Sequence, residues 1–305
     1  MRLIFAGSPA AAVPSLRELI ASDHEVVAVV TREDAPLGRK RVLTPTPVAL
    51  AAEEAGIPVV KANRLAAVQD ELIGLDAELG VVVAYGGLIR EPVLSAPRHG
   101  WINLHFSLLP RWRGAAPVQH ALIAGDTVTG AAVFQLVPEL DAGPVFATER
   151  VAVGAVQTAG HLLEELSVSG ARLLARVVDD IAAGTARATP QEGEVTLAPK
   201  LGLDDARLDW TQPAARIDAR RRGVTPEPGA TTTLDGERFK ILDAAIAHGA
   251  PPLAPGVVAL RGRAVHVGTA DEPLELLTVQ PAGKRAMPAA DWWRGRPADT
   301  PTVLR

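Results

Sequence analysis

Up to about residue 150, short apolar runs alternate with stretches of helical period, and no other feature constrains the fold as strongly. Residues 2–6, 25–30, 58–60, 79–84 and 101–106 read as strands, with helical patterns near 15–21, 48–55, 68–75 and 118–124 between several of them. That alternation predicts an α/β fold with a mostly parallel, doubly wound sheet. The unbroken Val81-Val82-Val83 run suits a strand covered on both faces. Residues 131–137 and 146–151 look like a further strand pair. Residues 159–183 form a long amphipathic helix with Leu162, Leu163, Leu166, Leu173, Leu174, Val177, Val178 and Ile181 inward.

The first domain is expected to span residues 1–184. Residues 185–208 lose periodicity and gather Gly, Thr, Pro and charge, which marks a linker. Beyond it, a helix at 214–222 precedes short strands at 230–234, 239–244, 257–260, 264–268 and 274–280. Spaced short strands with Gly and Pro turns predict a small β-barrel over 209–305.

With 305 residues, 48% apolar and 22% charged, the chain can build two cores. It has no uncharged apolar run near the roughly 18 to 20 residues of a membrane span. The opening Met-Arg-Leu-Ile-Phe-Ala-Gly is too short for a signal peptide and reads as a buried strand. The absence of cysteine excludes disulfides and thiolate metal sites, and a cytoplasmic location is expected. The net charge of -4 argues against a protein that coats nucleic acid. Residues 206–305, however, carry 14 Lys and Arg against 11 Asp and Glu, a net +3, leaving 17 against 24, a net -7, for residues 1–205. A local basic surface on the second domain is compatible with this split.

The chemistry-bearing stretch is NLHFSLLPRWRGAAPVQ, residues 103–119. Strand side chains alternate, so Asn103 and His105 share a face. Apolar Gly100-Trp101-Ile102 precedes them and Ser-Leu-Leu-Pro breaks the strand, which puts the pair at a strand's carboxyl end, where open α/β sheets bind ligands. Leu140-Asp141-Ala142-Gly143 adds a carboxylate. Amide, imidazole and carboxylate together can polarise a carbonyl and move a proton. Gly7-Ser8-Pro9 follows the first strand but lacks G-x-G-x-x-G, which argues against NAD. No Gly-x-Ser-x-Gly elbow supports a serine nucleophile. Gly38-Arg39-Lys40-Arg41 lies in a 17-residue connection, residues 31–47. A structureless loop of that length is usually functional or disordered, and its cations suit phosphates. The histidines at 24, 99, 120, 161, 248 and 266 show no metal-ligand spacing.

These motifs resemble those of the folate-dependent formyltransferases: an Asn-x-His strand end, a Ser-Leu-Leu-Pro turn, an Arg-Gly segment and a later Leu-Asp-x-Gly. Further likeness runs through residues 2–9, the loop 38–47, Ala84-Tyr85-Gly86, Ala198-Pro199-Lys200-Leu201, Leu208-Asp209-Trp210 and residues 279–285. Across nearly its full length the chain is similar to the members that formylate initiator methionyl-tRNA. The resemblance implies a Rossmann-like formyltransferase domain and an OB-fold-like C-terminal barrel that binds tRNA. It also implies transfer of the formyl group of 10-formyltetrahydrofolate to the α-amine of methionyl-initiator tRNA, without a metal, for translation initiation.

In that scheme Asn103 donates to the formyl oxygen, His105 also polarises it, and Asp141 orients or charges His105 and positions water. Ser107, Leu108, Leu109 and Pro110, beside Val83, Ala84, Tyr85 and Leu88, supply the folate slot. Arg39, Lys40 and Arg41 meet tRNA, Ser8 helps wall the amine site, and the protein is expected to be a monomer. Arg111 and Arg113 either help place a substrate or are surface cations. Two rival readings are a formyltransferase acting on a small amine, such as a nucleotide sugar or glycinamide ribonucleotide, and a non-catalytic RNA-binding module. The chain departs from the family pattern at Glu227, where an aromatic is usual, at Phe106 and at Ala10-Ala11.

Overall fold

The computed structural model describes residues 1–38, 40–297 and 301–305. Its chain groups into two compact units. One comprises Met1–Pro117, Val128–Ala152 and Leu163–Pro199; the other comprises Val118–Thr127, Val153–Leu162 and Lys200–Arg305.

The first unit is built from β1 (Arg2–Gly7), α1 (Val13–Ile20), β2 (Glu25–Thr31), β3 (Ala35–Leu37), β4 (Val42–Thr44), α2 (Pro47–Glu54), β5 (Val59–Lys61), α3 (Gln69–Gly74), β6 (Leu79–Val83) and β7 (Trp101–His105). After α4 (Pro117–Ala124), which falls almost wholly in the second unit, come β8 (Val128–Gln135), β9 (Val145–Ala152) and α5 (Ala159–Ala182), whose first turn also belongs to the second unit. The sheet order is β5-β2-β1-β6-β7-β8-β9, parallel from β5 to β7, with β8 and β9 added antiparallel. The chain winds outward from β1 to β5 and returns to β6 on β1's other side. The order therefore reverses between β1 and β6, and such reversals open a crevice at the carboxyl ends of the strands.

Local chemistry explains the elements. Leu3, Ile4, Phe5 and Ala6 of β1 are at most 2% exposed, as a central parallel strand requires. Helix α2 starts where Thr46 accepts a hydrogen bond from the Ala49 amide at 3.1 Å, with Pro47 in its first turn. Trp101 is wholly buried and its indole donates to the Val93 carbonyl at 2.8 Å. Gly80, opposite it on β6, has no room for a side chain because the indole fills that space.

Two expectations change here. The 31–47 connection is not structureless, since β3 and β4 pair antiparallel as a two-stranded ribbon with Lys40 and Arg41 at its tip. Residues 185–208, read as linker, are partly bound to the sheet unit: Thr189 bridges Val145 and Leu197 bridges Arg113.

In the second unit, α6 (Ala214–Gly223) precedes β10 (Thr231–Leu234), β11 (Glu237–Ile246), β12 (Val257–Arg261), β13 (Ala264–Val267), β14 (Leu274–Pro281), β15 (Met287–Pro288), α7 (Ala289–Arg294) and β16 (Thr302–Val303). The strands pair antiparallel in the order β10-β11-β14-β13-β12-β16, with β15 on β14. Leu304 bridges Leu234 on β10, so the sheet closes on itself as an OB-fold-like barrel. Its core holds Ile241, Val265, Val267, Val279 and Phe239, whose ring lies 4.8 Å from that of Trp292.

Candidate active site

Strand β7 ends beside the sheet's reversal and carries Asn103 and His105 on one face. His105 is 5% exposed and its ring stands edge-on to Phe134 of β8, with centroids 6.3 Å apart. Its Nε2 lies 2.8 Å from the Trp112 carbonyl oxygen. A carbonyl can only accept, so Nε2 carries the proton. Nδ1 is then the one nitrogen left for chemistry, and it faces Asp141 Oδ2 at 3.8 Å. Burial holds the His105 pKa below its ordinary 6.5, against the Asp141 carboxylate and the Trp112 carbonyl, which favour the cation. Asn103 completes the cluster. Its Oδ1 is buried without a partner. Amide oxygen and nitrogen are interchangeable in shape, so either end can be presented there. A buried polar atom without a partner calls for an explanation, and a ligand group at the strand end is one.

Asp141 sits in a left-handed backbone conformation, φ 45°, as does Trp112, φ 63°. Such residues cost on the order of 1–3 kcal/mol and persist where their surroundings over-determine them. Here they are held by the segment read as linker. The Trp112 amide donates to Thr196 Oγ1 at 2.9 Å, the Arg113 amide to the Thr196 carbonyl at 2.9 Å and the Ala198 amide to the Arg113 carbonyl at 2.7 Å. Gln191 Nε2 donates to the carbonyls of Asp141 and Gly143, both at 2.8 Å, while its Oε1 accepts from Arg113 Nη2 at 2.6 Å. Asp141 Oδ2 accepts the Gly114 amide at 2.7 Å. Glycine is required at 114 twice over: φ is 125° and an added Cβ would lie 2.6 Å from the Ala198 carbonyl oxygen.

His105 and Asp141 thus meet, with Asn103 two residues earlier on the same face of β7, while the other expected site residues disperse. Ser107 is buried, and its hydroxyl closes the turn on the Arg111 carbonyl at 2.6 Å. Leu108 and Leu109 are half-buried and Pro110 is buried; Leu108 lies over Gly130 of β8. Val83 is fully buried, and Tyr85 points into the core, where its hydroxyl donates to the Ala62 carbonyl at 2.6 Å. Ala84 and Leu88 are exposed, Leu88 on a cavity of about 410 Å³ that it shares with Asn63, Arg64, Gln69 and Arg90. Ser8 donates to the Tyr85 carbonyl at 3.0 Å and accepts the Arg32 amide at 3.2 Å, tying three strand ends together. Lys40 and Arg41 are exposed at the ribbon tip, and Arg39 lies outside the described residues. Sequence reading missed Gln191, Thr196 and Arg32, whose guanidinium bonds the Gly86 carbonyl at 2.6 Å. The one signal toward the 191–198 segment was the family-like Ala198-Pro199-Lys200-Leu201 that ends it.

The sequence model described as formyl transferase matches residues 1–178, and that of the formyl transferase C-terminal domain matches residues 200–297. The chain belongs to the formyl transferase family. Among curated relatives of this formyl transferase, the methionyl-tRNA formyltransferase of Leifsonia xyli is 64% identical, over 97% of each chain. Among solved structures, an N-formyltransferase from Helicobacter canadensis in complex with folinic acid and dTDP-3-aminofucose matches with TM-score 0.70 at 14% identity, over 92% of this chain and 98% of that one. HypX from Aquifex aeolicus matches with TM-score 0.67 at 18% identity, over 99% of this chain but only 53% of the HypX chain. These two likenesses establish the shared fold.

Proposed function

We propose that this formyl transferase moves the formyl group of 10-formyltetrahydrofolate to the α-amine of methionyl-initiator tRNA, and so serves translation initiation in the cytoplasm. The reading is supported by the His105–Asp141 pair at 3.8 Å on the strand that also carries Asn103, in a chain 64% identical over 97% of its length to a methionyl-tRNA formyltransferase. No helix among the described residues is long and apolar enough to cross a membrane.

Formyl transfer between nitrogens forms one carbon–nitrogen bond, breaks another and moves one proton. Asn103, whose Oδ1 is buried without a partner, turns its NH2 to the formyl oxygen, where it stabilises the charge that develops on attack. Neutral His105 offers Nδ1 to the proton of the attacking amine. Once protonated, that nitrogen adds a second donor toward the oxygen, and the Asp141 carboxylate favours the cation. The proton then passes to the departing nitrogen, with Asp141 positioning the water that relays it. No step requires a covalent enzyme intermediate or a metal.

For the folate, Leu108, Leu109 and Pro110 offer apolar surface. Ala84 and Leu88 add exposed apolar groups, with buried Val83 and Tyr85 supporting them from behind. For the tRNA, the ribbon tip offers Lys40 and Arg41, and its arms expose Leu37, Val42 and Leu43 at 66, 59 and 66%; Arg39 of the same basic run is proposed to share their role. The barrel unit, residues 209–305, is the second tRNA surface, and the protein acts as a monomer. Incubation with 10-formyltetrahydrofolate and either methionyl-tRNA or free methionine tests the reading. Formyl-methionyl-tRNA is expected, and formylation of free methionine alone would overturn it.

A further inference from the structure

Gln191 bonds backbone on both sides of the Asp141–Gly143 turn and itself carries no reactive group. Its amide NH2 gives one hydrogen bond to the Asp141 carbonyl and one to the Gly143 carbonyl, each 2.8 Å. Its Oε1 is fixed by two donors of one guanidinium, Arg113 Nε at 3.1 Å and Nη2 at 2.6 Å. That orientation settles which end of the amide is nitrogen, because a guanidinium can only donate and a carbonyl can only accept. Arg113 in turn belongs to the loop whose Gly114 amide holds the Asp141 carboxylate and whose Trp112 carbonyl holds His105. One side chain therefore ties the loop that orients the imidazole to the turn that carries the carboxylate.

We propose that Gln191, locked by Arg113, is a positioning residue that sets the Asp141 carboxylate against His105 Nδ1. The inference rests on the catalytic reading of that pair. Four features support it. Asp141 is in a left-handed conformation, which Asp tolerates better than most residues but which still costs energy that its surroundings offset. Gly143, the last residue of the turn, lies so close to the Gln135 backbone of β8 that a side chain there would clash, so the turn cannot settle inward and can shift only outward. Nδ1 and Oδ2 stand 3.8 Å apart, beyond direct hydrogen-bond length; their attraction varies inversely with the separation, so a retreat of the turn weakens it. Gln191 itself is only half-buried, so it contributes little core packing that its loss would disturb.

The test uses the full chain and three variants. Gln191→Glu keeps the shape and the Arg113 bond but replaces the donor that serves two carbonyls by an acceptor; Gln191→Ala removes the side chain's bonds to both sides; Asp141→Asn removes the charge being positioned. Each Gln191 variant is expected to lower kcat for methionyl-tRNA formylation about 10-fold or more, with KM for tRNA and folate within about two-fold. Gln191→Ala is also expected to move the acid limb of the kcat profile to lower pH, the direction Asp141→Asn moves it. In the Asp141→Asn background, Gln191→Ala is expected to cost less than about two-fold, because the residue acts through a charge already gone. A full cost in that background, an acid limb that stays in place in Gln191→Ala, or a wild-type kcat in Gln191→Glu would overturn the proposal. Should Gln191→Ala fail to fold by circular dichroism, the isosteric Glu variant alone decides. If Asp141→Asn itself keeps wild-type turnover, the catalytic reading fails. If Asp141→Asn is impaired and both Gln191 variants are not, only the positioning role fails.

Discussion

The connections leaving β7 and β2 both carry arginines and both follow strands of one sheet, yet they are built in opposite ways. The β7 connection and the Asp141 turn between β8 and β9 are laced by side-chain and backbone bonds from residues 191–198, which support Trp112 and Asp141 in left-handed conformations. The β2 connection projects as a ribbon of two three-residue strands, with apolar side chains left in solvent and cations at its tip. Chemistry on a formyl oxygen gains from donors that need no reorganisation at the moment of reaction. Capture of a polyanion gains from reach and charge, with little demand on exact placement. The rigid connection is therefore the one expected to set turnover, and the projecting one to set affinity.

The largest expected effect lies in the rigid region. Asn103→Ala and His105→Ala should each lower kcat by about 10²- to 10³-fold while folate binding and thermal unfolding stay near wild type. Near-normal turnover in either variant would erase the contrast between the two connections.

Asp141→Asn comes next, through the pH profile. Neutral His105 is the active form at the start of the cycle, and burial keeps its pKa below 6.5. Activity should then persist as pH falls through the ordinary imidazole range and drop only below it. Removing the carboxylate removes what favours the cation, so the limb should move further to acid and kcat should fall. The same depressed pKa means that His105 contributes stability above the ordinary value, which is lost as pH drops through the folded one. An unmoved limb in steady-state profiles would show that Asp141 does not act on His105.

A smaller, different effect is expected at the ribbon. Replacing Arg39, Lys40 and Arg41 together by Ser should raise KM for methionyl-tRNA and flatten its salt dependence, by roughly 0.7 to 0.9 in log–log slope for each phosphate no longer neutralised. A wild-type slope would move recognition to the barrel unit or to Arg111 and Arg113. Smallest of all, Leu37→Ser or Leu43→Ser should change thermal stability by less than about 0.5 kcal/mol, since both side chains are 66% exposed, while still weakening tRNA binding.

What the sequence revealed follows the same division. Strand ends and the Asn103–His105 pair were legible because a five-residue run buried on both faces announces itself, and period 2 fixes which side chains share a face. The ribbon was not, because strands of three exposed residues carry no burial pattern. Helix α7 escaped for a similar reason, being only six residues long. Tyr85 was placed beside the folate because it sits at a strand end, but its hydroxyl finds the Ala62 carbonyl and carries the ring into the core. Gln191 was invisible. A lone polar residue in a Pro-, Gly- and Glu-rich stretch looks like linker until its partners, some fifty and eighty residues away, are seen in place.

The contrast between the two connections is tested most directly by single-turnover formylation at saturating methionyl-tRNA and saturating 10-formyltetrahydrofolate, comparing His105→Ala with the ribbon triple variant. With affinity removed from the comparison, the ribbon variant should react within a few-fold of wild type while His105→Ala remains slower by about 10²-fold or more. A His105→Ala rate near wild type, or a ribbon variant equally slow at saturation, would contradict the division of labour proposed for the two loops.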